Sequence, residues 1–534
     1  MAKTVTTSRA LVRNTFFNLL MLMSNAIIGF LLVRFFLGRF GEARYGVWVL
    51  IGELFRYRML LGLGLNSAIN RRIPMYLAQD DEEGIRKVVS TALFFFTMVA
   101  VVLVLLSILF AVKIGDWFTM FTINPELVRT ASALTLVVGI SFAASTPLQL
   151  TTAVLSGLQR YDMVSITTVV VLTLRTVLTV VLLLHGYGLL TLGLIYGLSE
   201  IVARGVQHIL ARQLLPVGYL SWKHVDGTLL KEMLFYGMNT FLYAMGALII
   251  FRASVMIAGI YLPSEAVSQL YVSVQALLLL SEFVQAFTTS IKPAVSDLDT
   301  RDDQTRVRQI AFLTQKYSLL ILIPAGVFLI LMGREFLTVY VGAKIKDPAT
   351  LQSMATLLAI LTVGYCILLS QHSNYLVLSG RGEHRVFGIL TVVEAVLCVL
   401  VAVYFVKVLG WGLAGIAWSN LVPMGLVAGI ILPIYFNRKM KISAWDSLRH
   451  IWWPALLSTL PSVALIGVWK YLAPPASWAG LFLVVAAAAT ATMLCGWFLG
   501  MDTLEHQRLL SVFRRGRGRP TAQTAEITTA APVQ

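Results

Sequence analysis

The sequence predicts an all-α polytopic membrane protein of about 14 transmembrane helices. Two observations carry that prediction: 58% of the 534 residues are hydrophobic, and only 13% are charged, about half the share of an ordinary soluble domain. A third is the pattern, because the apolar runs reach the roughly 20 residues a helix needs to cross a bilayer. They are apolar on every face, which excludes the alternation of a barrel strand.

Taken in order, the predicted helices run at 13–37, 45–70, 88–112, 130–155, 163–184, 188–212, 233–260, 266–290, 311–333, 350–378, 386–406, 411–434, 451–472 and 478–500. The first is too long for a signal-peptide core and has no evident cleavage site, so it is expected to remain as a span. Alternate loops, counted with both termini, hold about three times as many Lys and Arg as the loops between them, which by the positive-inside rule puts both termini in the cytoplasm. The formal charge of +16 therefore reads mainly as an orientation signal, not as a nucleic-acid surface. The basic stretch Arg514 to Pro520 and the Thr-rich end after it are expected to be disordered, with a topological role or a contact to anionic headgroups.

The chain repeats itself. Val154-Leu-Ser-Gly157 recurs as Val377-Leu-Ser-Gly380. Asn14-Thr15-Phe16 recurs at Asn239 to Phe241, Glu42-Ala43 at Glu265-Ala266, and Gly186-Tyr-Gly-Leu189 as Gly410-Trp-Gly-Leu413. All four pairs are 223 to 225 residues apart. The expected organisation is an N-lobe of helices 1–6 (1–212), a cytoplasmic linker (213–232), a C-lobe of helices 7–12 (233–434), a trailing helix pair (435–500) and a basic tail (501–534). Six spans per unit is an even number, so both units enter the membrane in the same direction. This is the parallel-repeat arrangement, which in transporters places a path between two lobes.

No catalytic residue is identified. There is no Walker-type or H-E-x-x-H motif and no hydrophilic domain to house an ATPase or transferase. No cofactor is implied, and Cys366, Cys398 and Cys495 fall singly in apolar segments without metal or disulfide spacing.

Charges inside the spans carry the functional signal, because each costs several kcal/mol against lipid. Those singled out are Arg34, Arg56, Arg58, Arg175, Arg204 and Arg252 against Glu53, Glu200, Glu282 and Glu394. Arg34 sits near a helix end and is expected to snorkel. Glu200 with Arg204, at i,i+4, and Glu53 with Arg56, at i,i+3, can pair locally. Arg58 points to a different face from Arg56 unless the Gly62/Gly64 region distorts the span. Arg175 and Arg252 have no opposite charge within four residues, so they either face a hydrated cavity or meet a carboxylate on another helix, such as Glu282 or Glu394. Guanidinium groups suit a phosphate or diphosphate. Glu53, Glu282 and Glu394 are alternatively proton or cation sites.

Fourteen helices, a six-plus-six repeat and a trailing pair resemble the multidrug/oligosaccharidyl-lipid/polysaccharide (MOP) exporter superfamily. The segment with Tyr45 to Trp48, Gly62 to Leu65, Arg71 to Pro74 and the charged loop Asp80 to Lys87 is similar to its polysaccharide-biosynthesis, O-antigen-flippase branch. That resemblance implies flipping of a polyprenyl-diphosphate-linked glycan across a bacterial inner membrane by alternating access. Helices 1, 2, 7 and 8 would line the path, and Arg56 and Arg252 would contact the diphosphate, supported by Arg175 and Arg58. Implied partners are membrane lipids, H+ or Na+ as a coupling ion, and a polysaccharide polymerase or export machinery, with no nucleic acid. Helix 1 has no acidic residue of the kind many drug exporters use for coupling. A peptidoglycan-precursor flippase, a cation-coupled small-molecule exporter and a non-transporting polymerase partner remain as alternatives.

Overall fold

The computed structural model describes residues 8–119, 124–215, 222–288, 291–301, 303–383, 385–501 and 505–506. Helix dominates these residues, and no strand occurs among them. Thirteen helical stretches are long and apolar enough to cross a membrane. One of them contains two spans, because the helical run Ser8–Arg56 is interrupted at Gly41 (φ 74°, ψ 172°). In a straight helix Phe36 and Trp48 would stand about 18 Å apart. Their rings are 6.4 Å apart, so the chain doubles back at Gly41, whose positive φ suits a residue without a Cβ. Fourteen spans result, as the sequence predicts.

We label them α1 (8–40), α2 (42–62), α3 (Glu82–Trp117), α4 (Pro125–Gly157), α5 (Tyr161–Leu184), α6 (Leu189–Leu214), α7 (Gly227–Tyr261), α8 (Ser264–Thr288), α9 (Gln304–Val341), α10 (Pro348–Gly380), α11 (Arg385–Val408), α12 (Gly412–Met440), α13 (Ala444–Leu472) and α14 (Trp478–Gly500). Short helices Leu65–Ala78 and Ile291–Thr300 continue α2 and α8 toward the face that carries the termini. Several spans are longer than hydropathy indicates. Helices α3 and α9 begin at side-chain caps, where Asp81 accepts from the Gly84 N–H and Asp303 from the Arg306 N–H, so their first turns are polar helix that an apolar-run reading misses.

The repeat is visible in the backbone. Helix α4 breaks at a 3-10 turn, Thr146–Gln149, before its last helical segment Leu150–Gly157. Helix α10 breaks after Ser370, and its last segment is His372–Gly380. Both segments end in V-L-S-G, and each is followed by a left-handed residue, Gln159 (φ 59°) or Gly382 (φ 74°). The paired glycines Gly186 and Gly410 are also left-handed (φ 89° and 68°). Packing repeats too: α3 on α4, α4 on α6 and α5 on α6 correspond to α9 on α10, α10 on α12 and α11 on α12. Helices α13 and α14 pack on each other and on α9.

The outer surface is apolar, with Val112, Met493 and Phe498 more than two-thirds exposed, as lipid contact requires. The largest buried cluster crosses the two repeats, joining Leu50 and Ile51 of α2 to Ile250 of α7, Leu277 of α8 and Leu358 of α10. Where the repeats touch, backbones come close. A Cβ on Gly64 (φ 73°) would lie 2.3 Å from the Gly237 carbonyl, and one on Gly46 would lie 2.0 Å from that of Ser264.

Candidate functional site

Helix α2 delivers three of the predicted residues to the middle of the bundle. Glu53 is almost fully buried and accepts from two guanidinium groups: Arg56 Nε at 3.0 Å and Arg252 Nη1 at 3.1 Å. The second bond joins α2 to α7, hence one repeat to the other. Of the two readings left open for Arg252, the structure gives it a carboxylate on another helix, and that carboxylate is Glu53, not Glu282 or Glu394. Glu282 lies within electrostatic range of Arg252 and Arg56.

Beyond Arg56 the helix tightens into the 3-10 turn Tyr57–Gly62, and Leu63 and Gly64 are left-handed. Arg58 nevertheless faces away from the Glu53 pair, as a spacing of two from Arg56 predicts. Its guanidinium lies 4.2 Å over the Phe142 ring of α4 and 3.5 Å from Glu200 of α6. Arg204 holds Glu200 by two bonds (2.9 and 3.1 Å), donates to Gln207 at 3.1 Å and contacts Thr152. The i,i+4 pair read from sequence is therefore formed, within a wider network. Arg175 lies 4.2 Å over the Tyr196 ring, and its buried Nε has no hydrogen-bond partner. Arg34 is exposed, in keeping with a snorkelling side chain.

The interior so assembled has five arginines (56, 58, 175, 204, 252) against three glutamates (53, 200, 282), an excess of two positive charges. Glu394 stands apart on α11. It is fully buried, and neither carboxylate oxygen has a hydrogen-bond partner. Among the described residues no group of three His, Cys, Asp or Glu could hold a metal ion.

Two further features were missed by the sequence reading. One is a cavity of about 1280 Å³ lined by Phe30 and Leu31 of α1, Leu280 and Phe283 of α8, Pro324 of α9 and Phe482 of α14. It is an apolar groove; Leu280 and Phe283 of α8 line it, whereas Glu282 of the same helix lies within electrostatic range of Arg252 and Arg56. Its aromatic end is built by Phe30 stacked on Tyr340 (centroids 4.1 Å, 4°), with Trp478 edge-on to both. The other is a contact between the repeats nearer the termini: Arg72 pairs with Glu232 at 2.7 Å, and Arg71 lies over the Tyr236 ring at 4.8 Å. The groove is lined by residues of five different helices, α1, α8, α9, α13 and α14, and composition cannot separate a groove from packing. The basic tail Arg514 to Pro520 lies outside the described residues.

A doubled six-helix unit with a charged interior and a trailing helix pair defines an all-α, multi-pass membrane protein. The chain belongs to the polysaccharide biosynthesis protein family, whose profile matches residues 11–299. Solved structures share the fold. A multidrug resistance MATE family transporter of the MOP superfamily, inward-facing, is 17% identical with a TM-score of 0.61, covering 81% of this chain and 98% of that one. The lipid II flippase MurJ in an inward closed conformation is 16% identical with a TM-score of 0.69, covering 90% and 98%. A MOP superfamily transporter from Pyrococcus furiosus is 15% identical with a TM-score of 0.55, covering 81% and 95%. No curated protein gives a significant sequence match.

Proposed function

We propose that this transporter flips a polyprenyl-diphosphate-linked oligosaccharide across the bacterial inner membrane, with both termini cytoplasmic, for surface or exopolysaccharide synthesis. The lobes 1–212 and 233–434, joined by 213–232, alternate between the two openings. The observation that carries this reading is Glu53. One buried carboxylate holds Arg56 and Arg252, from opposite lobes, at 3.0 and 3.1 Å. A diphosphate offers both guanidiniums more charge and more acceptors than Glu53 does, so it competes for them. Arg58 and Arg175 add positive charge nearby. The apolar groove beyond α8 suits the prenyl chain, which must stay out of water while its headgroup crosses.

Glu394 supports a role in ion coupling. A dry carboxylate without a partner costs several kcal/mol when ionised unless a proton or cation accompanies it, which makes it a carrier for H+ or Na+. Glu53 and Glu282 are engaged with or near arginine, which suits them less to that task. A polymerase or export assembly would receive the product.

The test is flipping of a fluorescent short-chain prenyl-diphosphate sugar in proteoliposomes, read with an impermeant quencher. Arg252→Ala should abolish flipping with expression intact, whereas Glu282→Gln should spare it and Glu394→Gln should remove its dependence on an ion gradient. The reverse pattern for Arg252 and Glu282 sinks the diphosphate reading.

A further inference from the structure

The charged interior is not the only place where a cation has been buried next to lipid-accessible surface. Lys316 lies twelve residues into α9, about 18 Å along its axis, and its side chain is only 5% exposed. Its ammonium donates to three oxygens. Two belong to Glu505, at 2.7 and 2.8 Å, and the third is the Gly500 carbonyl at the end of α14, at 2.9 Å. The Tyr317 ring lies 5.4 Å away. The segment is clasped a second time by His506, whose imidazole hydrogen-bonds the Trp497 carbonyl at 2.6 Å and meets the Trp497 ring edge-on.

This clasp sits at one end of the apolar groove. Tyr317, adjacent in sequence to Lys316, lines the groove, as do Trp497 and Met501 from the clasped segment. The amine is thus placed where the headgroup of a lipid lying in the groove would end, and a carboxylate occupies it. Glu505 is not part of a membrane helix, so its hold on Lys316 can be exchanged without unfolding a span. The sequence that follows His506 is cationic: Arg508, Arg514, Arg515, Arg517 and Arg519 stand against Glu526 alone.

We infer that Lys316 is a phosphate site for the prenyl-linked substrate as it lies in the groove, with Glu505 as an internal carboxylate that occupies the site until a lipid phosphate displaces it. A diphosphate outcompetes a carboxylate for an ammonium in low dielectric because it carries more charge on more oxygens. The inference rests on the flippase reading above, and it adds a second anion site, distinct from Arg56 and Arg252, at which substrate waits. It also gives α14 a role, since α14 forms one wall of the groove and its Gly500 carbonyl accepts from Lys316.

The experiment measures binding of fluorescent farnesyl diphosphate to the full-length protein in phosphatidylcholine nanodiscs. Glu505→Ala removes the competitor and should tighten binding about fivefold, while Lys316→Met should weaken it tenfold or more; Lys316→Arg, which keeps the cation, should bind nearly as the parent does. Opposed signs are the diagnostic result, because a purely structural clasp predicts that both substitutions loosen the same segment and move binding the same way or not at all. That outcome overturns the inference, as does displacement of the probe by an equal concentration of phosphatidylglycerol, which would assign the site to bulk phospholipid. Wild-type protein that neither binds nor flips the probe would instead sink the flippase reading itself.

Discussion

Replacing Glu53 by Gln tests the interior most directly. Its side chain is 2% exposed, that of Arg252 17% and that of Arg56 41%. At 3.1 Å the attraction between Glu53 and Arg252 is about 5 kcal/mol at an effective dielectric of 20, and desolvation of the two groups offsets much of it. Arg56 is exposed enough that its pair contributes at most about 1 kcal/mol. The principal loss in Glu53→Gln is therefore the counter-charge of Arg252, which costs about 3 kcal/mol because a buried cation is left uncompensated. Arg252→Met alone should cost about as much, for the mirror reason. The double variant removes both charges and should cost about as much as either single variant and not their sum, giving a coupling of about 3 kcal/mol in the cycle. Unfolding in mixed micelles titrated with SDS, followed by tryptophan fluorescence, measures all four proteins. Single effects that add to within about 0.5 kcal/mol would show that Glu53 and Arg252 do not interact, and the lobe-bridging carboxylate would have to be abandoned.

Two further outcomes follow from the backbone. Gly64→Ala combines a positive φ with a Cβ 2.3 Å from the Gly237 carbonyl and should destabilise by at least about 2 kcal/mol, whereas Gly52→Ala, with nothing within 4 Å, should be neutral or stabilising; equal thermal midpoints by dye-binding would contradict the close approach. Asp347, in the loop before α10, accepts from the Thr350 hydroxyl and the Thr350 and Ala349 N–H groups, which hold its carboxyl below the usual range. Because the folded-state value is depressed, its stabilisation is present above the unfolded aspartate value of about 3.9 and is lost as pH falls below it, so Asp347→Ala should lower the thermal midpoint at pH 7 and have progressively less effect toward pH 3.

Much of the fold was legible because hydropathy, loop charge and the V-L-S-G pair each encode it locally. The pairs Glu53–Arg56 and Glu200–Arg204 were legible for the same reason, being three and four residues apart on one helix. Arg252 was legible as an anomaly only, since its partner Glu53 lies 199 residues away and no spacing rule connects them. Arg175 was equally anomalous, and its neighbour is the face of Tyr196, one among many aromatics that composition assigns to packing. Lys316 carries the same signal as Arg252, a lone charge in an apolar run, yet its partner Glu505 is 189 residues downstream, beyond the last span. The break in α2 was foreshadowed by Gly62 and Gly64, and the separation of Arg58 from Arg56 by their spacing of two, but the partners of Arg58, Phe142 and Glu200, come only from tertiary structure.

The glycine contact between α2 and α7 has a mechanical meaning. Gly64 and Gly237 meet backbone to backbone, so under the proposed alternating-access reading the lobes would roll there at little steric cost. Gly41, at the far turn, is 23 residues along the chain, about 34 Å by helix rise. With that moment arm, a rotation of about 10° at the fulcrum carries the far end through about 6 Å, comparable to one turn of helix. Under the proposed reading, a small angular change at two residues without side chains would part the opposite rim of the bundle by about one helical turn.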